Sequence, residues 1–322
     1  MTAAERGVLL LCASLGGAER PLSMAQFREL SLRAQAHGVP QGDLNAELTQ
    51  RDVERLGYPA ADAEHIAALL SRERRLEESL TAAERCGIVP LTRITAAYPV
   101  PLARKLSVSC PPVLFAKGEL LLMRRECVSL VGSRELNAAG RAFARRVGQL
   151  AAEEGLTLVS GGAAGADIEA QEACLAAGGS VIVFTPGRLT ELPLRRNVLY
   201  LSEGGWTLPF SVPRAMSRNR LIHAMGEKTL VAQTGFGSGG TWNGTLDNLR
   251  HGWSTVFVHD DGSEGAAALI ARGAEPAAAA LASLRTLEPS QARFCETVRY
   301  PERAETTRPE AIDERESRRR TP

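Results

Sequence analysis

The spacing of apolar residues divides the chain into two parts. Residues 1–95 carry apolar side chains at helical spacing, most clearly at 52–56, 63–70 and 76–83, within a background of Ala, Leu, Glu and Arg. We therefore predict a small helical N-terminal domain over residues 1–95. A helix pair of this kind can be a contact module for nucleic acid or protein, although mutual packing is the more common role.

From residue 96 the pattern changes to short apolar runs that alternate with helix-length segments. Four prolines between 99 and 112 favour extended structure around a short helix near 102–106. Strands are predicted at 127–131, 156–159, 180–184, 229–232 and 255–258, and helices at 138–154, 167–177, 219–225, 242–251 and 265–271. Such alternation requires right-handed crossovers between parallel strands. The sequence thus predicts an α/β fold over residues 96–275, with an open, doubly wound parallel sheet of at least five strands.

The alternation ends after Gly273. Residues 276–322 begin with an Ala-rich run at 276–281 and continue into a charged tail, in which residues 299–322 contain seven Arg and six Asp or Glu. This composition predicts either a solvated helix or disorder.

Composition narrows the class of protein. In 322 residues, 44% are hydrophobic, which is enough to bury a core and excludes disorder throughout. No run approaches the ~20 apolar residues of a membrane span, and the start lacks a secretory signal, so we expect a cytoplasmic protein without membrane contact. The six Cys form no C-x-x-C pair and the five His no H-E-x-x-H motif, so no metal and no cofactor are predicted.

Three loops of small residues follow predicted strands. Because the carboxyl ends of parallel strands and the positive helix N-termini meet at one edge of a sheet, these loops are expected to converge on one ligand. Without side chains in the way, their backbone N–H groups are able to face an anion. The loop residues are Gly132, Ser133 and Arg134, then Ser160, Gly161, Gly162, Gly165 and Asp167, and then Ser238, Gly239, Gly240 and Thr241.

These loops match neither the dinucleotide fingerprint nor the Walker motif. Two simpler readings stay open, namely tight turns that allow close helix packing and, for Asp167, a helix N-cap.

A basic segment adds a second feature. The net charge of the whole chain is +1, but residues 188–220 hold six Arg against two Glu. Arg218, Asn219 and Arg220 are predicted at the start of a helix, with both guanidinium groups on the ligand side. Arg side chains beside glycine loops suit a phosphodiester or a nucleotide. The alternative is a solvated basic loop.

The order of these motifs resembles that of the DNA-processing protein A family (DprA, also called Smf). The resemblance covers roughly residues 50–274. Its motifs are Tyr98-Pro99, the segments 111–118, 131–134 and 160–167, Asn197, and the segments 201–203, 217–220, 238–240 and 269–274. The resemblance implies an extended Rossmann-like domain that binds single-stranded DNA, forms a homodimer and loads the RecA recombinase during natural transformation. It implies a mediator and not an enzyme.

Several positions depart from the family pattern. Gln171 stands where His is usual, Thr185-Pro186-Gly187 where G-x-G is usual, and Ala232-Gln233 where an acidic residue is usual. The third loop continues with Gly240-Thr241 in place of Ser, and no winged-helix domain is evident at the C-terminus. We therefore interpret the chain as a divergent member.

Two other functions remain open. A nucleotide phosphoribohydrolase of the "lonely guy" type would need a catalytic Glu where Gly244 stands, and Asp247 is the nearest substitute. The other alternative is a Rossmann-like nucleotide sensor in defence or signalling. Phe210, Trp206 and Trp242 are candidates for base stacking, unless they pack in the core.

The sequence-based hypothesis for the site is specific. Arg134, Arg218 and Arg220 are predicted to hold DNA phosphates together with backbone N–H groups of the glycine loops, which are those of Gly161, Gly162, Gly239 and Gly240. Asn197 is predicted as a further member of this site.

Overall fold

The N-terminal part of the chain is helical, as predicted. The computed structural model describes residues 1–45 and 47–289. The first five helices are α1 (Ala3–Cys12), α2 (Met24–Ala36), α3 (Gln50–Arg55), α4 (Ala60–Leu70) and α5 (Glu73–Arg85). Thr2, Ser23 and Thr49 begin three of them with capping boxes, in which side chain and backbone satisfy each other's hydrogen bonds.

The remaining elements build one sheet with flanking helices. The strands are β1 (Ile88–Thr92), β2 (Val113–Gly118), β3 (Cys127–Val131), β4 (Thr157–Ser160), β5 (Ser180–Phe184), β6 (Val198–Glu203), β7 (Lys228–Val231), β8 (Thr255–His259) and β9 (Glu275–Ala277). The helices are α6 (Val100–Leu106), α7 (Ala138–Glu153), α8 (Ala166–Ala176), α9 (Val212–Met225), α10 (Gly240–His251) and α11 (Glu264–Ala271).

The strand order across the sheet is β1-β2-β6-β5-β4-β3-β7-β8-β9. The seven strands from β6 to β9 in this order are parallel, which confirms the predicted doubly wound α/β fold. At the β1 edge, β2 runs antiparallel to β6, with Leu114 opposite Glu203, and β1 in turn runs antiparallel to β2. The sheet is therefore mixed at this edge.

The observed limits of the sheet differ from the predicted domain boundaries. β1 comes from the segment that was predicted as helical, and β9 extends into the Ala-rich run. β1 carries Pro90, a residue that sheets accept at an edge strand. Residues 1–288 form one compact unit. The charged tail at 299–322 lies outside the described residues.

The sheet separates two hydrophobic cores because neighbouring residues of a strand face opposite sides. In β2, Val113 and Phe115 belong to one core, and Leu114 and Ala116 belong to the other. The N-terminal helices share the first core with α7 and α8, whereas α6, α9, α10 and α11 pack in the second. None of the helices over the described residues is both long and apolar enough to cross a membrane.

The chain reverses its direction of travel across the sheet next to β3. From β3 the strands are added one by one out to β6, and the chain then returns to place β7 on the other side of β3. The loops that leave β3 and β7 therefore diverge and open a crevice at the carboxyl ends of these strands. This is the position where doubly wound sheets bind ligands.

Candidate nucleic-acid interface

A cavity of about 650 Å³ occupies this crevice, and we call it the switch-point cavity. Residues from all three predicted loops and from α9 line it. They include Gly132, Ser133, Arg134, Glu135, Ala163, Asp167, Arg218, Asn219, Ser238, Gly239, Gly240 and Thr241. The tertiary fold thus brings most of the predicted site residues together.

The first loop presents Arg134 to solvent. Arg134 is exposed, and no carboxylate or carbonyl among the described residues holds its guanidinium. The backbone below it is fixed, because the Ser133 carbonyl accepts a hydrogen bond from the Ala166 N–H at 3.1 Å. A Cβ on Gly132 would overlap the Ala166 side chain. Gly132 therefore allows α8 to begin directly beside an available cation.

The second loop is braced by Asp167. This carboxylate is 7% exposed and accepts hydrogen bonds from the N–H groups of Gly161 and Ala163, at 3.1 and 3.0 Å. Burial raises the pKa of Asp167, and the nearby Arg218 opposes this shift. Asp167 is not the N-cap of α8, since Gly165 occupies that position. The prediction that the Gly161 N–H binds phosphate is wrong for this conformation, because Asp167 already accepts from it.

Other members of the second loop shape the cavity from behind. The Ser160 hydroxyl is fully buried and accepts a hydrogen bond from the Gln171 side chain. It therefore does not reach the cavity, contrary to the prediction. Gly165 has φ +85°, and a Cβ there would overlap the Ser133 and Arg134 carbonyls. Gly162 is exposed, with φ +68°. These small residues permit close packing, which was the simpler reading of the motif.

The third loop leads into α10 without a side-chain cap. Gly239 is the N-cap residue, with φ +94°, and α8 likewise begins on an uncapped glycine. The Thr241 hydroxyl donates to the Gly132 carbonyl at 2.9 Å, which ties the third loop to the first. Two helix N-termini, each with the positive end of its dipole, therefore border the switch-point cavity.

Arg218 forms the inner wall of this cavity. It is 7% exposed, and its Nη1 donates to the Phe184 carbonyl at 3.1 Å. Its Nε–H is buried and has no hydrogen-bond partner among the described residues. Burial lowers the pKa of Arg218, while the Asp167 carboxylate acts in the opposite direction. The hydrogen-bonding capacity of this guanidinium is thus only partly satisfied, which is costly for a buried charge and favours an anion at the part that lines the cavity.

Arg220 lies elsewhere, and here the sequence-based prediction is wrong. Both of its terminal nitrogens donate to Glu203, at 3.2 and 2.6 Å, and its Nε donates to the Ser109 carbonyl at 3.1 Å. α9 begins at Val212, so the two arginines lie within the helix and not at its start. Residues two apart in a helix point in nearly opposite directions. Arg220 consequently lines a different cavity.

Asn197 is also outside the site. It directly precedes β6, and therefore lies at the amino ends of the parallel strands, on the edge of the sheet opposite the cavity. It adopts φ +60°, and its N–H donates to the Glu119 carboxylate at 2.9 Å. Asn accepts this left-handed conformation better than most residues, so its place in the motif has a structural reason.

Apolar side chains at the rim were largely missed by sequence reasoning. Phe210 is 55% exposed and lines the switch-point cavity, as do the exposed Val212 and Met216. Phe236 is 49% exposed and rests edge-on against Trp242 with ring centroids 5.3 Å apart. Of the three predicted stacking candidates only Phe210 is exposed, since Trp206 and Trp242 are buried.

His223 is a further lining residue that the sequence did not reveal. It is 1% exposed, and its Nδ1 pairs with the Asn248 amide at 3.1 Å. The Asn248 oxygen accepts from the Ser254 N–H, so the amide nitrogen must be the donor to the ring. Burial lowers the pKa of His223 to about 3, which keeps the imidazole neutral. The sequence did contain one indication of its position: His223 follows Asn219 by four residues, so the two side chains share one face of α9.

Comparison with known proteins identifies the family. The family model for DNA recombination-mediator protein A matches residues 90–287, which is more than half of the chain. The chain belongs to this family. This confirms the resemblance drawn from the ordered motifs.

Individual proteins of the recombination-mediator family are similar to this chain in sequence or in fold. The chain is 32% identical to Protein Smf of Escherichia coli over 178 residues, which span 51% of this chain and about half, 48%, of that protein. DNA processing protein A of Streptococcus pneumoniae superposes with TM-score 0.67 at 23% identity, over 86% of this chain and 95% of that one. DNA processing protein A of Helicobacter pylori, described as binding single-stranded DNA, gives 0.50 at 23% identity, over 59% and 90%.

Two departures from the family pattern have local partners in the structure. Gln171 donates to Ser160 behind the second loop, and the side-chain amide oxygen of Gln233 accepts from the Asn137 N–H at 2.9 Å, at the start of α7. Both glutamines therefore serve the loops of the recombination-mediator fold through neutral hydrogen bonds. Neither of them removes a lining cation.

Proposed function

We propose that this protein is a single-stranded DNA-binding recombination mediator that holds backbone phosphates in the switch-point cavity. One observation carries the proposal: an unpaired exposed guanidinium and a half-satisfied buried one, Arg134 and Arg218, meet two uncapped helix N-termini in one cavity. Phosphate oxygens accept hydrogen bonds from guanidinium groups and from free N–H groups at a helix N-terminus. Family membership supports the same conclusion.

The rim favours a single strand over a duplex. Phe210 and Met216 are exposed and line the same cavity as Arg134 and Arg218, and Phe236 is exposed beside the third loop. Bases stack on aromatic faces when they are free of a partner strand, and such stacking tolerates any base. The H. pylori relative is described by its single-stranded DNA binding mode, which supports this reading.

Binding fits the lining better than catalysis does. The carboxylates that line the switch-point cavity are Glu135 and Asp167, and Asp167 is committed to two backbone N–H groups. Asp247, the substitute carboxylate for a phosphoribohydrolase, lines another cavity. At Gly244 there is no side chain to stabilise a ribosyl cation. We therefore propose a mediator without hydrolase activity.

Fluorescence anisotropy of a labelled single strand against an equal duplex tests the proposal. The titration is repeated at several salt concentrations, with AMP and ATP as competitors. We expect preference for the single strand, affinity that falls with salt because counterions are released, and weak competition. Tight mononucleotide binding without DNA binding would contradict the proposal and favour the nucleotide sensor.

The recombinase step is a separate part of the proposal. We propose that the bound strand is passed to RecA in the cytoplasm during natural transformation. The test is RecA-dependent ATP hydrolysis on a strand already coated with single-stranded DNA-binding protein. Addition of the protein should shorten the lag, and an unchanged lag would argue against loading.

A homodimer is proposed from the same family. Light scattering across micromolar concentrations should give twice the chain mass of 34.5 kDa. A constant monomer mass over that range would remove this part of the proposal while leaving DNA binding intact.

A further inference from the structure

A second cavity, of about 590 Å³, lies on the other side of α9. It forms where the N-terminal helices, the segment before β2, the end of β6 and the helices α9 and α10 meet. Its apolar lining includes Leu22, Met24, Val108, Pro111, Val113 and Trp253. Three of the family motif segments described above, 111–118, 201–203 and 217–220, contribute residues to its lining.

The two cavities are neighbours that share part of their lining. Met216, Asn219 and Asn243 line both of them. Asn219 is held by its hydrogen bond to the Gly240 carbonyl, at 3.0 Å, whereas Met216 is 39% exposed. Methionine is unbranched and adapts its shape readily. A ligand held in the switch-point cavity therefore lies next to the second cavity, along these three shared residues.

The charges of the second cavity do not suit a phosphate. Its ionised side chains are Arg220, Glu203 and Asp247, with a formal sum of −1. Glu203 occupies both terminal nitrogens of Arg220, and this pair is only about one-fifth exposed. An additional anion would meet two carboxylates and a cation that is already paired. The cavity therefore favours an uncharged group.

The shared wall adds hydrogen-bonding groups suited to a planar heterocycle. The Asn243 side-chain amide and the Asn219 side-chain Oδ1 have no hydrogen-bond partner in the described part of the chain. An amide offers both a donor and an acceptor, so it can pair with the edge of any base. Apolar walls with a few polar groups at the entrance are typical of a small-molecule pocket of this size.

We propose that the second cavity receives a nucleobase of the strand whose phosphate lies in the switch-point cavity. This inference rests on the proposed function, because the base must be linked to a bound phosphate. It gives the N-terminal helices a direct role, since Leu22 and Met24 form part of the base pocket. Affinity then depends on bases through this pocket as well as through the exposed rim.

The test compares oligothymidylate with an abasic oligonucleotide of equal length and charge. Met24→Trp fills the second cavity from α2 and leaves the switch-point lining unchanged, and Leu32→Trp is its control, exposed on the same helix and lining neither cavity. We expect the parent to prefer oligothymidylate. Met24→Trp should lose about tenfold on oligothymidylate, the scale of one lost base contact, and nothing on the abasic strand. Leu32→Trp should match the parent on both.

Each other outcome has a distinct meaning. If a folded Met24→Trp binds oligothymidylate as tightly as the parent, or if the parent does not distinguish the two strands, the base pocket is wrong and phosphate binding stands. If the parent binds neither strand, the proposed function fails as well. Should Met24→Trp not fold, Val108→Trp, at an exposed position of the same cavity, replaces it.

Photo-crosslinking of the parent protein with a strand that contains 5-iodouracil is an independent test of the base pocket. Crosslinks to peptides that contain Met24 or Trp253 support the base pocket. Crosslinks restricted to peptides with Phe210 or Phe236 overturn it, because the bases would then remain on the rim.

Discussion

The two faces of α9 each carry an arginine, and the two guanidinium groups differ in how fully they are paired. Arg218 is buried in the wall of the switch-point cavity and keeps an unused Nε–H. Arg220, two residues later, spends its nitrogens on Glu203, Ser109 and Ser217. The same side chain therefore serves as an anion site on one face and as a structural pair on the other. The difference arises from what each face packs against.

This contrast explains why a dense cluster of arginines is a poor guide to a binding site. Along a helix, the side-chain direction rotates by about 100° per residue. Neighbours in the sequence therefore face different surroundings. An arginine contributes to phosphate binding only if no carboxylate already holds it. Arg134 satisfies that condition through exposure, and Arg218 satisfies it through incomplete pairing.

The largest expected effect is a crossed result for the two arginines. Arg218→Ala should lower affinity for a single strand by about 10- to 100-fold, the scale of a charged hydrogen bond, as measured by anisotropy. On an abasic strand, which has no base for the second cavity, Arg220→Ala should leave affinity within about twofold, because Arg220 does not line the switch-point cavity. It should lower the free energy of unfolding by about 1–3 kcal/mol because Glu203 loses its partner. Equal losses of DNA affinity for both variants would break the comparison.

Gly161→Ala sharpens the comparison from the opposite wall. A Cβ at this position would overlap the Arg218 Nη1, so the guanidinium must move away. We expect about a tenfold loss of single-strand affinity, which corresponds to about 1.4 kcal/mol. Gly42→Ala is the control, since a Cβ there meets open space without a positive φ. Parent-like affinity of Gly161→Ala would show that the position of Arg218 is unimportant.

Phe210→Ala tests the rim of the switch-point cavity. Loss of one stacking surface should weaken oligothymidylate binding about fivefold and leave an abasic strand unaffected, both measured by anisotropy. Leu194→Ala serves as control, because Leu194 is 65% exposed and lines neither cavity. A uniform loss on both strands would instead indicate a general disturbance of the loop.

The smallest effect concerns His223 on the same helix. Its pKa is lowered to about 3 by burial, so between about pH 6.5 and 3 the unfolded chain binds a proton that the folded chain does not. Stability from this group is complete above pH 6.5 and is lost as the pH falls. From pH 6.5 to 5.5 the parent should lose about 1 kcal/mol more than His223→Gln in denaturant titrations. Parallel curves for the two proteins would exclude a buried neutral imidazole.

Regular parts of the fold were predictable, whereas the edges of the sheet were not. The prediction of a helix at 138–154 matches α7 (Ala138–Glu153), and strands at 127–131 and 180–184 match β3 and β5, because buried parallel strands are continuous apolar runs. β1 and β9 were missed. They are short, contain proline and owe their conformation to the neighbouring strand, which local pattern does not report.

In the site, the glycine turns could be predicted from the sequence, but the hydrogen-bond partners of their N–H groups could not. The positive φ of Gly165 and Gly239 fits the expected tight turns. The N–H of Gly161, however, is consumed by Asp167, and Asn197 lies at the opposite edge of the sheet. These outcomes depend on partners that approach from other segments.

The sequence by itself determined the doubly wound fold, the family and the three loops of small residues that follow β3, β4 and β7. The periodicity of apolar residues and the order of the motifs can be read directly from the linear sequence. Only the tertiary structure decided which groups remain available: Arg218 and Arg134 are, whereas Arg220 and the Gly161 N–H are not. The reason is physical, since a donor's free energy depends on every acceptor and on the burial around it, and both are set by residues far away in the sequence.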